Sequence, residues 1–343
     1  MVVLYIVLGL IGLVICYLTV VIFFPVLTVK EQPLNRITSG SKEIPNCRQD
    51  VEYSVNGEII RSWLYLPDNT SAPIPGIILC NGFGGTKDAI LEKYAMGFVN
   101  EGYVALALEY RHFGESDGLP RQHFSFRKQI EDIHASADFL RSIDTIDPAR
   151  IVIWGTSAGG PHGLYIAAED HSIAGVIAQC AGLDHKKDDK IVTRREGFSF
   201  ILKLVVHAQR DKGRSRFGLS PHTVPIVGKP GTFALLNAPG AHAGYSSLIP
   251  EGSPFENRLC ARVILIPPGV DPIKSSLKVR CPVLLCVCEK DELVAPDSYV
   301  RVAGNLQDKA TVKKYPIGHF DIYKGEHFDK AFQDQVGFLK DIL

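Results

Sequence analysis

The chain has 343 residues with 37 basic and 37 acidic side chains, so it carries no net charge with histidine neutral. That balance lacks the basic excess that a phosphate backbone selects, which excludes nucleic acid as the expected partner. Its eight cysteines include no paired Cys-x-x-Cys, and neither a Walker loop nor a Gly-x-Gly-x-x-Gly fingerprint is present, so no metal and no cofactor are expected.

Residues 1–29 come first, with no charge from Val2 to Val29. About 20 apolar residues cross a hydrocarbon core of about 30 Å. A cleaved signal would have a basic start and an apolar core of about 7–15 residues. This run is longer, and no Lys or Arg precedes it. The segment therefore reads as a retained, single-pass transmembrane anchor. Lys30, Arg36 and Lys42 follow it, which favours keeping the rest of the chain on the cytoplasmic side. Cys80, Cys180, Cys286 and Cys288 fall in or beside apolar runs, as small core residues do in a reducing compartment.

Residues 30–49, with Pro33, Gly40 and Pro45, read as a tether to a domain spanning 50–343. That domain begins with a hairpin turned at Asn56-Gly57. Ile77-Ile78-Leu79-Cys80 reads as a buried strand, and Asn81-Gly82-Phe83-Gly84-Gly85 follows it. Such a loop turns backbone amides toward a developing negative charge. Its donors are expected to be the amides of Phe83 and of Ala158 further on. A helix over 88–100, a strand over 103–108 and a helix capped by Ser125 come next. In that last helix Phe126, Ile130, Ile133, Ala137 and Leu140 share one face.

Ile151-Val152-Ile153-Trp154 then runs into Gly155-Thr156-Ser157-Ala158-Gly159, and a helix-compatible run follows. A strand that ends in a sharp turn before a helix presents the central serine at its tip with Oγ exposed. The bland alternative is a glycine-rich turn with a chance serine. Ile173 to Ala178 is another buried strand. Residues 184–280 then break the alternation, starting with a charged run read as solvated surface. A connection of this length is functional or structured on its own, and its place suits a cap over Ser157. Phe200, Phe217, Phe233, Tyr245 and Phe255 are its candidate lining residues, with His185, His207, His222 and His242 as polar ones.

The strand over 281–288 leads to Asp291, placed to orient a base, with Glu289, Glu292 and Asp297 as competitors. After a helix and a strand over 310–315 stands Gly318-His319-Phe320. An elbow serine is followed in chain order by its acid and then its histidine. His319 alone among eleven histidines has that placement; His162 is only five residues past Ser157. The last helix carries Phe328, Phe332, Val336 and Leu339 on one face.

Together these segments resemble the α/β-hydrolase superfamily over about residues 50–343. Glu109-Tyr110-Arg111-His112-Phe113-Gly114-Glu115-Ser116 is similar to that family's segment after its fourth strand, with Glu109 for Asp and His112 for Gly. Asn81 stands for the usual His of the oxyanion loop. Pro316 to Tyr323 resembles the histidine loop of a subgroup related to dienelactone hydrolases, acetyl xylan esterases and Xaa-Pro peptidase-like hydrolases. The resemblance implies a mostly parallel, doubly wound sheet with an inserted cap, and Ser157 as nucleophile, Asp291 as orienting acid and His319 as base. The expected function is a membrane-anchored serine hydrolase cleaving an ester or thioester of a small acyl substrate. A peptidase of aminopeptidase or Xaa-Pro type would use the same triad, and a non-catalytic interaction module is a third reading. Oligomeric state is not legible.

Overall fold

The computed structural model describes residues 1–25, 27–29, 33–37, 44–68, 73–266 and 269–343. A helix, α1 (Val2–Phe23), precedes two strands, β1 (Arg48–Val55) and β2 (Glu58–Tyr65). Then follow β3 (Ile74–Cys80), α2 (Leu91–Asn100), β4 (Val104–Ala107), α3 (Phe126–Arg141), β5 (Ile146–Thr156), α4 (Gly159–Glu169) and β6 (Ile173–Gln179). The insert comprises α5 (His185–Glu196), α6 (Phe198–Arg216), β7 (Thr223–Val224), α7 (Ala241–Ser246), β8 (Leu259–Cys260) and α8 (Pro272–Ser276). The chain closes with β9 (Val283–Cys288), α9 (Tyr299–Leu306), β10 (Ala310–Tyr315) and α10 (Gly325–Ile342).

Eight strands form one sheet in the order β1-β2-β4-β3-β5-β6-β9-β10. The starting hairpin is antiparallel, and β2 joins β4 antiparallel; the other neighbours are parallel. Parallel strands covered on both faces need apolar side chains on both. Ile77 and Leu79 of β3, with Val152 and Trp154 of β5, point to the face packed by Tyr94, Phe98 and Phe332. Ile78 and Ile153 point to the other, packed by Ile133, Leu140 and Leu164. This α/β-hydrolase architecture aligns the carboxyl ends of β3, β5, β6, β9 and β10 along one edge, where ligands of open α/β sheets bind.

Ser125 precedes α3 as expected, but its hydroxyl makes no capping bond; its carbonyl accepts from Gln129 instead. The segment after β4 explains its unusual residues. Glu109 is fully buried and accepts from Lys87 Nζ at 2.8 Å and from the Glu115 amide at 2.6 Å. His112 takes a left-handed φ of 74°, a conformation that glycine adopts freely. Its amide donates to Asp117 at 2.7 Å and Nδ1 meets the Pro120 carbonyl at 3.0 Å. Burial pushes the imidazole's pKa down to about 4.

Within 184–280 the charged run is the start of α5, and two of its acids face inward. Asp184 is buried and pairs with Arg301 at 2.5 Å. Asp188 accepts from the Ala295 amide at 2.8 Å, and burial pushes its carboxyl up to about 7. Helix α1 is long and apolar enough to cross a membrane, and only its last turns are buried. Within 30–49, residues 30–32 and 38–43 lie outside the described residues. Pro33 and Ile37 rest on the insert through His242 Nε2 and the Ile249 carbonyl.

Candidate active site

Strand β5 ends at Thr156 and α4 begins at Gly159, leaving two residues for the turn. Ser157 sits there with φ of 53°, an unusual conformation for a non-glycine residue. Its amide is held to the Gln179 carbonyl at 2.8 Å. The turn is tight because both glycines touch backbone. A Cβ on Gly155 would collide with the Gly159 carbonyl, and one on Gly159 would lie 2.6 Å from the Cys80 carbonyl oxygen. Gly159→Ala is therefore expected to destabilise the fold by about 1–3 kcal/mol, read as a lower midpoint in urea unfolding. An unchanged midpoint would mean that the elbow has room to relax.

Ser157 and His319 line one cavity, together with Gly82, Phe83, Tyr245 and Leu248. His319 Nδ1 is 2.6 Å from Asp291 Oδ2, and both side chains are buried. Asp291 is fixed in turn, because its Oδ1 accepts from the amides of Leu293 at 2.8 Å and Val294 at 2.9 Å. The competing acids Glu289, Glu292 and Asp297 are exposed. Burial opposes a charge on His319, but the Asp291 carboxylate and, after it, Cys180 outweigh it and raise the imidazole well above its usual pKa. Among the described residues Ser157 Oγ makes no hydrogen bond; His319 Nε2 instead faces Cys180 Sγ at 4.0 Å. Serine–base bonds are often long in unliganded sites.

The loop 81–86 is braced from within. Asn81 Nδ2 donates to the Thr86 carbonyl and Oδ1 accepts from the Gly82 amide at 3.0 Å. Gly84 takes φ of 73°. Tyr245 from the insert donates to the Phe83 carbonyl at 3.0 Å. Among the described residues the amides of Phe83 and Ala158 donate to no protein group. Both border the serine, so they are free to meet an anionic oxygen.

Other expected lining residues lie elsewhere. Tyr245 does line the cavity. Phe200 and Phe233 pack on each other inside the insert, Phe255 packs behind Tyr245, and Phe217 is exposed beside Phe23. His207 and His222 bond to each other at 2.7 Å, His185 packs on Phe126, and His242 meets the Pro33 carbonyl. Their rings are used in packing and internal bonds. His162, on α4, bonds the Ala158 carbonyl and is buried.

Sequence reasoning missed the layer beneath. Cys180 Sγ is 3.2 Å from Tyr323 OH, which is 2.6 Å from Thr156 Oγ. Gln179 bonds Tyr94 OH and Gln335. The only available signal was polar side chains within apolar runs.

A family model described as the alpha/beta hydrolase fold matches residues 75–209. The chain is 38% identical over 300 residues to the quorum-quenching protein AidA of Acinetobacter baumannii (strain MDR-ZJ06), covering 88% of this chain and 97% of that one. It is 24% identical to thiohydrolase aneE of Aspergillus aculeatus, covering 86% and 93%. The crystal structure of alpha/beta hydrolase GrgF from Penicillium sp. sh18 superposes with a TM-score of 0.70 at 24% identity, over 86% of this chain and 98% of that one.

Proposed function

We propose that this chain, which belongs to the α/β-hydrolase family, is a serine hydrolase that cleaves a carboxylic ester or thioester through an acyl-enzyme on Ser157. The observation that carries the reading is the buried His319–Asp291 pair, whose imidazole lines the same cavity as Ser157. In this reading Ser157 Oγ attacks the acyl carbon while His319 Nε2 takes its proton. Asp291 holds the imidazole's other N–H and steadies its charged form. The amides of Phe83 and Ala158 bind the oxyanion, each worth about 3 kcal/mol in the transition state. His319 then protonates the leaving alcohol or thiol, and water releases the acid by the reverse roles.

Ser157 and His319 must approach for the first proton transfer, and substrate binding is the event that would draw them together. The insert acts as a cap, with Tyr245 fixing the Phe83 loop. Within the family we place the chain near the dienelactone hydrolase and acetyl xylan esterase subgroup, on its histidine loop. The thiohydrolase among its relatives keeps the thioester in the proposal. Helix α1 serves as a retained span, with Arg36 and its neighbouring lysines keeping the domain on the cytoplasmic side.

A panel of p-nitrophenyl esters, acyl thioesters and aminoacyl or Xaa-Pro amides tests the reaction class. Esters or thioesters are expected to turn over with kcat/KM well above any amide. Preferential cleavage of the amides would make the protein a peptidase instead.

A further inference from the structure

Helix α6 presents two unlike faces. Phe200, Leu204, His207, Ala208 and Asp211 are buried in the insert. On the other side Phe198 is 77% exposed and Leu202 53%, while Ile201, Val205 and Val206 are half-buried. These apolar positions recur at helical spacing, so they form one stripe. Water gives such a stripe no favourable partner.

The same stripe leads to α1. Tyr17 OH donates to Gln209 Oε1 at 2.8 Å, Ile22 packs where a Cβ on Gly213 would be, and Phe23 meets Phe217 with ring centroids 5.1 Å apart. Gln209, Gly213 and Phe217 are four residues apart and continue the line of Phe198, Leu202 and Val205. Arg210 donates at 2.5 Å to the carbonyls of Val21 and of Phe24, and Arg214 donates to that of Ile22 at 3.3 Å. Two guanidiniums thus meet the unpaired carbonyls at the C-terminal end of α1. The contact fixes the last turns of α1 against α6, so a bilayer crossed by α1 would meet α6 at the depth where the span leaves it.

The charges on α6 suit that depth. Lys203, Lys212 and Arg216 are exposed. The helix's one acid, Asp211, turns inward to Arg262 at 2.6 Å. Apolar residues flanked by cations match the boundary between acyl chains and anionic headgroups.

We propose that the outer face of α6 is a second membrane contact, lying in the headgroup–acyl boundary of the bilayer that α1 crosses. This rests on the reading of α1 as a span. The insert that supplies Tyr245 and Leu248 to the Ser157 cavity is then seated on lipid. Acyl substrates dissolved in the bilayer would reach the site more readily than the same acyl group in water.

The full chain in vesicles of phosphatidylcholine and phosphatidylglycerol tests this with an environment-sensitive fluorophore. It is placed in turn on the native Cys16 in α1, on Leu202→Cys, and on Asp308→Cys, a highly exposed site. Cys47 and Cys281 are replaced by serine throughout, and Cys16 as well in the last two proteins. Spin-labelled lipids are expected to quench the labels at 16 and 202 and leave that at 308 unchanged. If 16 is quenched while 202 is as wet as 308, the α6 contact is overturned and the anchor stands. If 16 is also unquenched, the anchor reading falls and this proposal falls with it. In a second arm, Phe198→Glu combined with Leu202→Glu is expected to lose most turnover of a long-chain ester carried in vesicles and to keep turnover of a soluble short ester. Equal retention on both substrates would also overturn the contact.

Discussion

Replacing Ser157 by alanine is expected to lower kcat/KM for a short p-nitrophenyl ester by about 10⁶-fold, or about 8 kcal/mol of transition-state stabilisation. The substitution removes one oxygen. It leaves the amide bond to Gln179 in place and keeps an L-residue with a Cβ at the same φ of 53°, so the fold and its melting temperature should be unchanged. What remains is a hole with oxyanion donors and a base but nothing to acylate. The control that matters is Cys180, whose thiol faces His319 Nε2 and is the nearest alternative nucleophile. Cys180→Ala is expected to retain most of the turnover. Should Ser157→Ala keep its activity and Cys180→Ala lose it, the nucleophile would be the thiol.

Asp291→Asn is expected to cost about 10⁴-fold, because the amide can no longer hold the imidazole in the tautomer that presents a basic Nε2. The pH profile carries a sharper expectation. A base works only when unprotonated, so turnover should fall as pH drops through the pKa of His319. The Asp291 carboxylate, with Cys180 adding to it, raises that pKa well above the usual 6.5. The acid limb of kcat/KM should therefore have its midpoint above 6.5 in the parent enzyme. With asparagine the larger opposing charge is gone and burial is opposed by Cys180 alone, which favours the neutral ring more than in the parent. The residual activity should then have its midpoint at a lower pH. Asparagine can still accept the amides of Leu293 and Val294 through its side-chain oxygen, so a collapsed loop is not expected. An unchanged midpoint would show that another acid, not Asp291, sets the charge on His319.

Much of the fold could be read from local pattern. The run from Ile151 to Trp154 followed by Gly155 and Gly159 marks strand, turn and helix by local pattern, although the turn itself packs on Cys80 and Gln179. The helical faces of α3 and α10 follow from spacing alone. The insert could not be read in this way, because its packing depends on distant partners. Asp184 and Asp188 look like part of a solvated run, yet Arg301 and the Ala295 amide, more than a hundred residues away, turn them inward. Tyr245 was one aromatic among five until its hydroxyl reached the Phe83 carbonyl, 162 residues back in the chain. Phe217 looked like a pocket residue by type, but the ring of Phe23 holds it outside. Asp291 stood among three rival acids, and only the geometry of the loop pairs it, rather than Glu289 or Glu292, with His319.

Covalent capture tests the acyl-enzyme most directly. The full chain is treated with a fluorophosphonate, digested and mapped by mass spectrometry. One phosphonyl group on Ser157, formed in step with the loss of esterase activity, is the predicted result. Labelling at another residue, or esterase activity that persists with Ser157 unmodified, would contradict it.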